Sequence, residues 1–594
     1  MTDDIYNNAI ILFNDKKYEE ALELMIKCYY KEPLNLIYIL KLAEIFVITN
    51  RFLYAIDIYN KYLNLQPNDI KVLKSLLLCY RTTENNKQIE QIYENILNIK
   101  NNDIESIESL LSLYYKLGEC NKYDALFNKY KYIFTDDRKN ILEIYNNLLL
   151  EQIMTSNINI LYNRYKYENN IDYLFFQKKV INEINNIIVP ISCPITFILA
   201  YHNKNNKYLF KKVSNMIKKY CPFINEFNNN FISKTTNDKK IKIGFISYFF
   251  RNHSVTKDRR GLIKMLDRDI FEVYSLFIGN YQFDDISNEI INCTHYVKIN
   301  DDIYYAIKQI QELNLNILFY CEIGMCMLIY ILAQFRLAPI QINTWDHSDT
   351  SGIDTIDYYI SSKLYEKKNG YEHYSEKLIM NEGLCTYYYN PFKYVTEIIQ
   401  LQYENFENKN IYFCPGSLFK IHSNMDIIFD KILNKDENAL ILFVGNDENR
   451  YKLENRFKNT LGYNTERTFF VDKNFNPNYF FSLLTSCNIL LDSYFFGGCN
   501  SCLEAFSINK PVVTLPGNFI NSRFTYGFYK KMNFIDLISE NIDDYVNIAI
   551  KIAINNNYNK YVCNEIKRKK YILYENIETV YEWNDMLVSL IKSK

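Results

Sequence analysis

The chain has 594 residues and a mass of 71.1 kDa, enough for about three to five domains at roughly 100–200 residues each, which excludes a single module or a small disulfide scaffold. It carries 54 Tyr and 39 Phe but only 15 Gly and 11 Pro, so a given aromatic says little while each glycine is worth locating. Lys and Arg number 68 against 69 Asp and Glu, a balance of −1 that lacks the basic footprint of a nucleic-acid binder.

The 14 cysteines are scattered, and the one CxxC, Cys499 and Cys502, has no second pair to complete a zinc site. The start, Met1-Thr-Asp-Asp, is acidic and does not read as a signal peptide. The longest apolar stretch, Ile323 to Phe335, is about 13 residues, short of the ~20 needed to span a bilayer. These features lead us to expect a soluble, reduced, cytoplasmic protein without a metal.

In chain order, the first segment repeats. Ala21 recurs as Ala55 and Ile89; Met25 as Tyr59, Tyr93 and Phe127; Pro33 as Pro67; Asn35 as Asp69, Asp103 and Asp137, each step being 34 residues. This is the tetratricopeptide period, two helices per repeat. The small residue lets helices approach, the large one lies a turn further on the same face, and the proline falls where a helix must end. Such a solenoid presents a concave face to proteins or peptides. We assign 1–139 to the repeats and 140–235 to a connecting helical region that ends in a polar linker, Ser233 to Lys240.

At Ile241 the pattern changes to short apolar runs alternating with helical segments. Strands are expected at Ile241–Ser247, Phe271–Phe277, Ile317–Tyr320 and Ile340–Trp345. After Tyr389-Asn-Pro391 they are expected again at Ile411–Cys414, Ala439–Val444, Thr468–Val471, Asn488–Asp492 and Pro511–Leu515. Alternation of this kind predicts parallel sheets covered by helices. We therefore expect two Rossmann-like domains, 236–395 and 396–594, facing a cleft, with ligands beyond the carboxyl ends of the strands.

Four segments carry candidate chemistry. In Leu490 to Phe506 a strand ends at Asp492, two of the scarce glycines turn the chain, and a helix begins near Cys499-Asn500-Ser501. The free N–H groups and dipole of such a helix suit a phosphate, and Glu504, one turn later, suits ribose hydroxyls. An ordinary capped helix with a solvated Glu fits the same pattern. In Cys414-Pro-Gly-Ser417-Leu-Phe-Lys420, Lys420 follows a strand end, where it can neutralise a departing diphosphate or simply face solvent. His253 follows the first strand of the first α/β unit, as a proton acceptor, a sugar contact or a structural residue. Trp345-Asp346-His347-Ser-Asp-Thr350-Ser351-Gly352 forms a polar loop after a later strand.

These segments, in this order behind tetratricopeptide repeats, resemble the O-linked N-acetylglucosamine (O-GlcNAc) transferases and SPINDLY-type transferases. The likeness rests on Lys242-Ile-Gly-Phe-Ile-Ser, Asn252-His-Ser-Val, Arg336-Leu-Ala-Pro-Ile-Gln341, Thr350-Ser-Gly, Ile356-Asp-Tyr358, Tyr374-Ser-Glu-Lys-Leu378, Ser417-Leu-Phe-Lys420, Pro511 to Gly517 and Ser522-Arg523. It is nearest to a bacterial-type subgroup, and Ile323-Gly-Met325 is also similar to cytoplasmic N-glucosyltransferases.

The resemblance implies an α-solenoid followed by a GT-B pair of Rossmann-like domains. It also implies inverting, metal-independent transfer from a nucleotide sugar, with no cofactor beyond that donor. UDP-GlcNAc is the best guess for the donor and Ser or Thr of proteins bound by the repeats for the acceptor. O-fucosyl transfer, N-glucosyl transfer and a degenerate repeat scaffold are the alternatives. By position, Ser417 and Lys420 fall at the diphosphate, Cys499, Asn500 and Ser501 at the phosphates, Glu504 at the ribose, and Tyr479 or Phe480 at the base. His253 is the active-site histidine, and Asp346, His347, Thr350 and Ser351 lie in the acceptor and sugar loop. The chain departs from the pattern at Cys499 (Thr or His), Asp346 (Gly) and Ser348 (Pro). The Asp346 carboxylate would either hinder an anionic donor or reshape the acceptor pocket.

Overall fold

Apolar residues at helical spacing give the first 135 residues four helix pairs: Thr2–Asn14 with Tyr18–Lys31, Leu36–Ile48 with Phe52–Leu65, Ile70–Thr82 with Asn86–Ile99, and Ile104–Leu117 with Cys120–Tyr130. The structure is a computed structural model that describes residues 2–593 except 84, 188–192, 233–238, 281, 402, 404, 405, 446, 447 and 473–475. Residues 1–135 and 136–594 form two separate compact units. In the first unit, the 34-residue pattern is the packing pattern: Ala21, Met25, Ala55, Tyr59, Ile89, Tyr93 and Phe127 are all buried. The polar member of the period has its own task. Asn35, Asp69 and Asp103 each cap the first helix of a repeat by accepting a backbone N–H in its first turn.

In the second unit, Asp137, the fourth member of that series, does something else. The helix Asp136–Leu148 already contains it, and its Oδ2 accepts from the N–H groups of Asn182 and Glu183, at 2.8 and 3.0 Å. The helices Asn157–Phe176, Lys207–Tyr220 and Phe223–Asn229 follow. Most of the expected linker, 233–238, lies outside the described residues.

Seven strands then form a parallel sheet: β1 (Ile241–Ser247), β2 (Phe271–Phe277), β3 (His295–Lys298), β4 (Ile317–Tyr320), β5 (Ile340–Asn343), β6 (Tyr358–Ser362) and β7 (Lys377–Asn381). Their order is β3-β2-β1-β4-β5-β6-β7, and every pairing is parallel. Two of these strands, β3 and β7, were not anticipated, and β6 was expected only through the Ile356-Asp-Tyr358 run of the resemblance. β3 is mostly exposed, so it lacks the buried apolar run of the others. β6 and β7 are too polar to read as buried parallel strands.

A second parallel sheet contains β8 (Asn410–Cys414), β9 (Ala439–Val444), β10 (Thr468–Val471), β11 (Ile489–Leu491) and β12 (Val512–Val513), in the order β10-β9-β8-β11-β12. Residues of both sheets belong to one connected hydrophobic cluster, with Phe245 and Phe319 from the first and Phe413 and Leu442 from the second. The last helix, Ile577–Lys592, returns to the first sheet. Trp583 packs on Phe319 with ring centroids 5.5 Å apart and donates Nε1–H to the Cys385 carbonyl at 3.1 Å. A helical solenoid followed by two GT-B-like parallel sheets is thus the architecture.

Candidate functional site

Both sheets reverse their winding direction at one strand pair, β1/β4 in the first and β8/β11 in the second. Crevices beyond the carboxyl ends of such pairs are where open parallel sheets bind ligands. The loops leaving these four strands hold most of the residues singled out above.

After β11, Asp492 organises the turn. Its Oδ1 accepts the Gly498 N–H at 2.8 Å and its Oδ2 accepts the Thr514 hydroxyl at 2.7 Å. The carboxylate leaves no room for side chains at the glycines: a Cβ on Gly497 would come within 2.7 Å of Asp492 Oδ1, and one on Gly498 within 2.3 Å of Ser501 Oγ. The helix Asn500–Ser507 starts directly behind the turn. Its N-cap is Cys499, whose side chain makes no capping hydrogen bond, so the first N–H groups of the helix lack the usual N-cap oxygen. Burial pushes the Cys499 thiol well up, which keeps it neutral. Glu504 is buried on the same helix, and its Oε1 pairs with Lys257 Nζ at 2.9 Å. Asn500 Oδ1 accepts from the Tyr388 hydroxyl at 2.6 Å. Lys257 and Tyr388 come from the first α/β half and the segment that leaves it.

After β8, Lys420 is half-buried, with Nζ 4.7 Å from the Phe496 ring centroid. It makes no ion pair among the described residues, and burial pushes its ammonium down to about 8. Ser417, at the start of the same turn, is exposed. An unpaired cation and an uncapped helix start therefore stand at one switch point.

Tyr479 and Phe480 lie on the helix Pro477–Ser486, which follows β10. The Tyr479 hydroxyl bonds that of Tyr403 at 2.7 Å, and Phe480 packs on Phe413 with centroids 6.0 Å apart.

In the first half, His253 caps the helix Ser254–Met265. Its Nδ1 accepts the Val255 N–H at 3.3 Å, and its ring stacks on Phe249 with centroids 4.2 Å apart. The loop before it is fixed by Glu322, a fully buried carboxyl beyond β4 that accepts from Ser247 Oγ at 2.8 Å and Tyr248 N–H at 2.7 Å.

Asp346 is tied into a buried ion cluster. Its Oδ2 accepts from Arg259 Nε at 3.0 Å, Arg259 also pairs with Asp258 at 2.7 Å, and its guanidinium lies 4.2 Å from the Trp345 ring centroid. Burial raises both carboxyls and Arg259 opposes that. The extra carboxylate is thus matched by an internal cation, and is not presented as a free charge.

His347 is buried and stacked on Phe197 at 5.2 Å, and burial pushes its imidazole down to about 4. Gly324 makes this possible, since a Cβ there would come within 2.1 Å of His347 Nδ1. Thr350 donates its hydroxyl to Glu376 at 2.6 Å, and Ser351 gives both its N–H and its hydroxyl to the same carboxylate. These two residues brace the loop from within. The Arg336 to Gln341 run is likewise architectural: Arg336 pairs with Asp357 at 2.6 Å, and Gln341 Oε1 accepts the Leu337 N–H at 2.7 Å.

Several residues of the site were not anticipated. Lys257 and Arg259 sit in Lys257-Asp-Arg-Arg260, a charged run inside a helix with buried neighbours, which is an anomaly readable in sequence. Tyr201 had no such signal. It belongs to the connecting region yet packs on Phe496 at 4.5 Å and on Phe419 at 5.0 Å, closing an aromatic cluster beside Lys420.

Residues 194–397 match the family model described as glycosyl transferase family 41. Two proteins named UDP-glucose:protein N-beta-glucosyltransferase, from Actinobacillus pleuropneumoniae serotypes 5b (strain L20) and 7 (strain AP76), are 22% and 21% identical over 408 residues. Each alignment covers 67% of this chain, which spans 63% of the length of these relatives. A mutant O-GlcNAc transferase from Thermobaculum terrenum has a like fold, with a TM-score of 0.64 and 15% identity over 94% of this chain and 97% of that one. The matched stretch ends before β8, so the loops with Lys420 and Gly497-Gly498 lie beyond it.

Proposed function

We propose that the chain is an inverting glycosyltransferase that moves a sugar from a nucleoside-diphosphate donor to a protein. The observation that carries this reading is the unpaired Lys420 ammonium beside the uncapped start of the helix Asn500–Ser507. Preorganised positive charge at the point where a leaving group becomes anionic lowers the barrier, and one such donor contributes a factor of about 10²–10³.

In this mechanism an acceptor oxygen attacks the anomeric carbon from the face opposite the diphosphate. The new C–O bond forms as the bond to the diphosphate breaks, and the acceptor's proton passes to water or to the departing diphosphate. The diphosphate leaves with the electron pair, received by Lys420 and by the N–H groups around Cys499, Asn500 and Ser501. Glu504 is placed to take the ribose. With Nδ1 of His253 accepting a backbone N–H, the neutral ring carries its proton on Nε2. We assign His253 a hydrogen-bonding role toward sugar or acceptor.

UDP-GlcNAc and Ser or Thr hydroxyls are our first choice of donor and acceptor, reached through the resemblance of the motifs. The names of the two curated relatives favour a second reading, UDP-glucose and an acceptor nitrogen. The solenoid would then recruit the acceptor protein.

Thermal unfolding of the full chain with UDP, GDP and their sugars tests the donor, followed by mass spectrometry of Ser/Thr and Asn peptides incubated with whichever sugar stabilises it. Stabilisation by UDP and a mass gain on a hydroxyl peptide support the first reading. A hexose gain on an Asn peptide supports the second. If no nucleotide shifts the melt, the chain is a repeat scaffold and the transferase reading falls.

A further inference from the structure

The ion pair between Lys257 and Glu504 joins the two α/β halves at the point where the nucleoside would lie. Lys257 is on the helix Ser254–Met265, which His253 caps, and Glu504 is on the helix behind the Gly497-Gly498 turn. The Glu504 side chain is 11% exposed. One of its oxygens, Oε1, is taken by Lys257, while among the described residues Oε2 accepts no hydrogen bond from another residue. A carboxylate on so short a stem, held at one oxygen, has a fixed plane and offers the other oxygen to a hydroxyl. Without Lys257 it would rotate, and would be buried without a compensating charge.

We propose that Lys257 is a positioning residue. It orients Glu504 for the ribose hydroxyls of a nucleoside diphosphate, so that a residue of the first half completes the nucleoside site of the second. This rests on the donor reading above. It predicts a dependence that neither half could show alone: ribose recognition requires the approach of the two halves that brings Lys257 within 2.9 Å of Glu504.

The test is calorimetric binding of UDP and of 2′,3′-dideoxyuridine diphosphate to the full-length chain and to Lys257→Met, Lys257→Arg and Glu504→Gln. The wild type should prefer UDP about tenfold or more, the scale of a hydrogen bond to a charged group. Lys257→Met and Glu504→Gln should each shrink that preference to about twofold or less, and Lys257→Arg should restore most of it. Should Lys257→Met fail to fold, Lys257→Gln is expected to show the same loss of preference. If the Met or Gln variant keeps the full preference, or weakens both ligands equally, Lys257 is only a latch between the halves and the proposal is wrong. If the wild type does not bind UDP, the proposal is overturned too; binding of GDP in its place leaves the donor reading standing, and binding of neither removes both.

Discussion

The two α/β halves present opposite surfaces at their switch points. In the second half stand a cation with no ion-pair partner among the described residues, a helix start whose N-cap side chain makes no capping bond, and a glycine turn pressed against Asp492. In the first half several polar groups are spent on one another. Arg259 holds Asp258 and Asp346, Glu376 holds Thr350 and Ser351, and Glu322 holds Ser247 and Tyr248. On the proposed function, one half would meet an anion and the other would be a rigid wall that places a few groups, His253 and Lys257 among them, against it. Buried polar clusters that are internally satisfied fix geometry but have little left to offer a ligand.

The comparison can be broken at the wall first. Arg259→Met leaves Asp258 and Asp346 buried without their cation, and should cost about 3–5 kcal/mol of stability, read from urea unfolding. A loss below about 1 kcal/mol would show that the cluster is not what stiffens this half.

On the other side, Lys420→Ala should lower transfer by about 10²–10³ while leaving the melting temperature nearly unchanged, because no ion pair is lost. Full turnover in that variant would end the phosphate assignment. Gly497→Ala pushes a Cβ against Asp492 and should destabilise by about 1–3 kcal/mol with loss of nucleotide binding.

Tyr388→Phe removes the hydroxyl that Asn500 accepts, and should cost about 1 kcal/mol, seen as a small drop in melting temperature. The mildest effect is on pH. On the proposed function Lys420 would bind the diphosphate as a cation, and burial pushes its ammonium in the free chain down to about 8. Donor affinity should therefore be full below that value and fall as pH rises through it, whereas Lys420→Arg should flatten the profile up to pH 10.

Much of this was legible in the sequence because it depends on local chemistry. The 34-residue period encodes helices whose Ala and aromatic positions must be buried. The glycine pair behind a short apolar run encodes a turn that no other residue type fits. Lys420 and Glu504 could be named from their distance to strand ends. β3 and β7 could not, since neither carries a buried apolar run of its own.

The same distinction separates what the chain alone determined from what its folding decided. Periodicity, turn chemistry and the strand–helix alternation are properties of contiguous residues, and they fixed a solenoid followed by two parallel sheets. The fate of each charge was decided in three dimensions. Asp346 reads as a free carboxylate until Arg259, 87 residues away, is seen against it, and Glu504 reads as an isolated acid until Lys257 arrives from 247 residues earlier. Electrostatic energy depends on separation and burial, and neither is written along the chain.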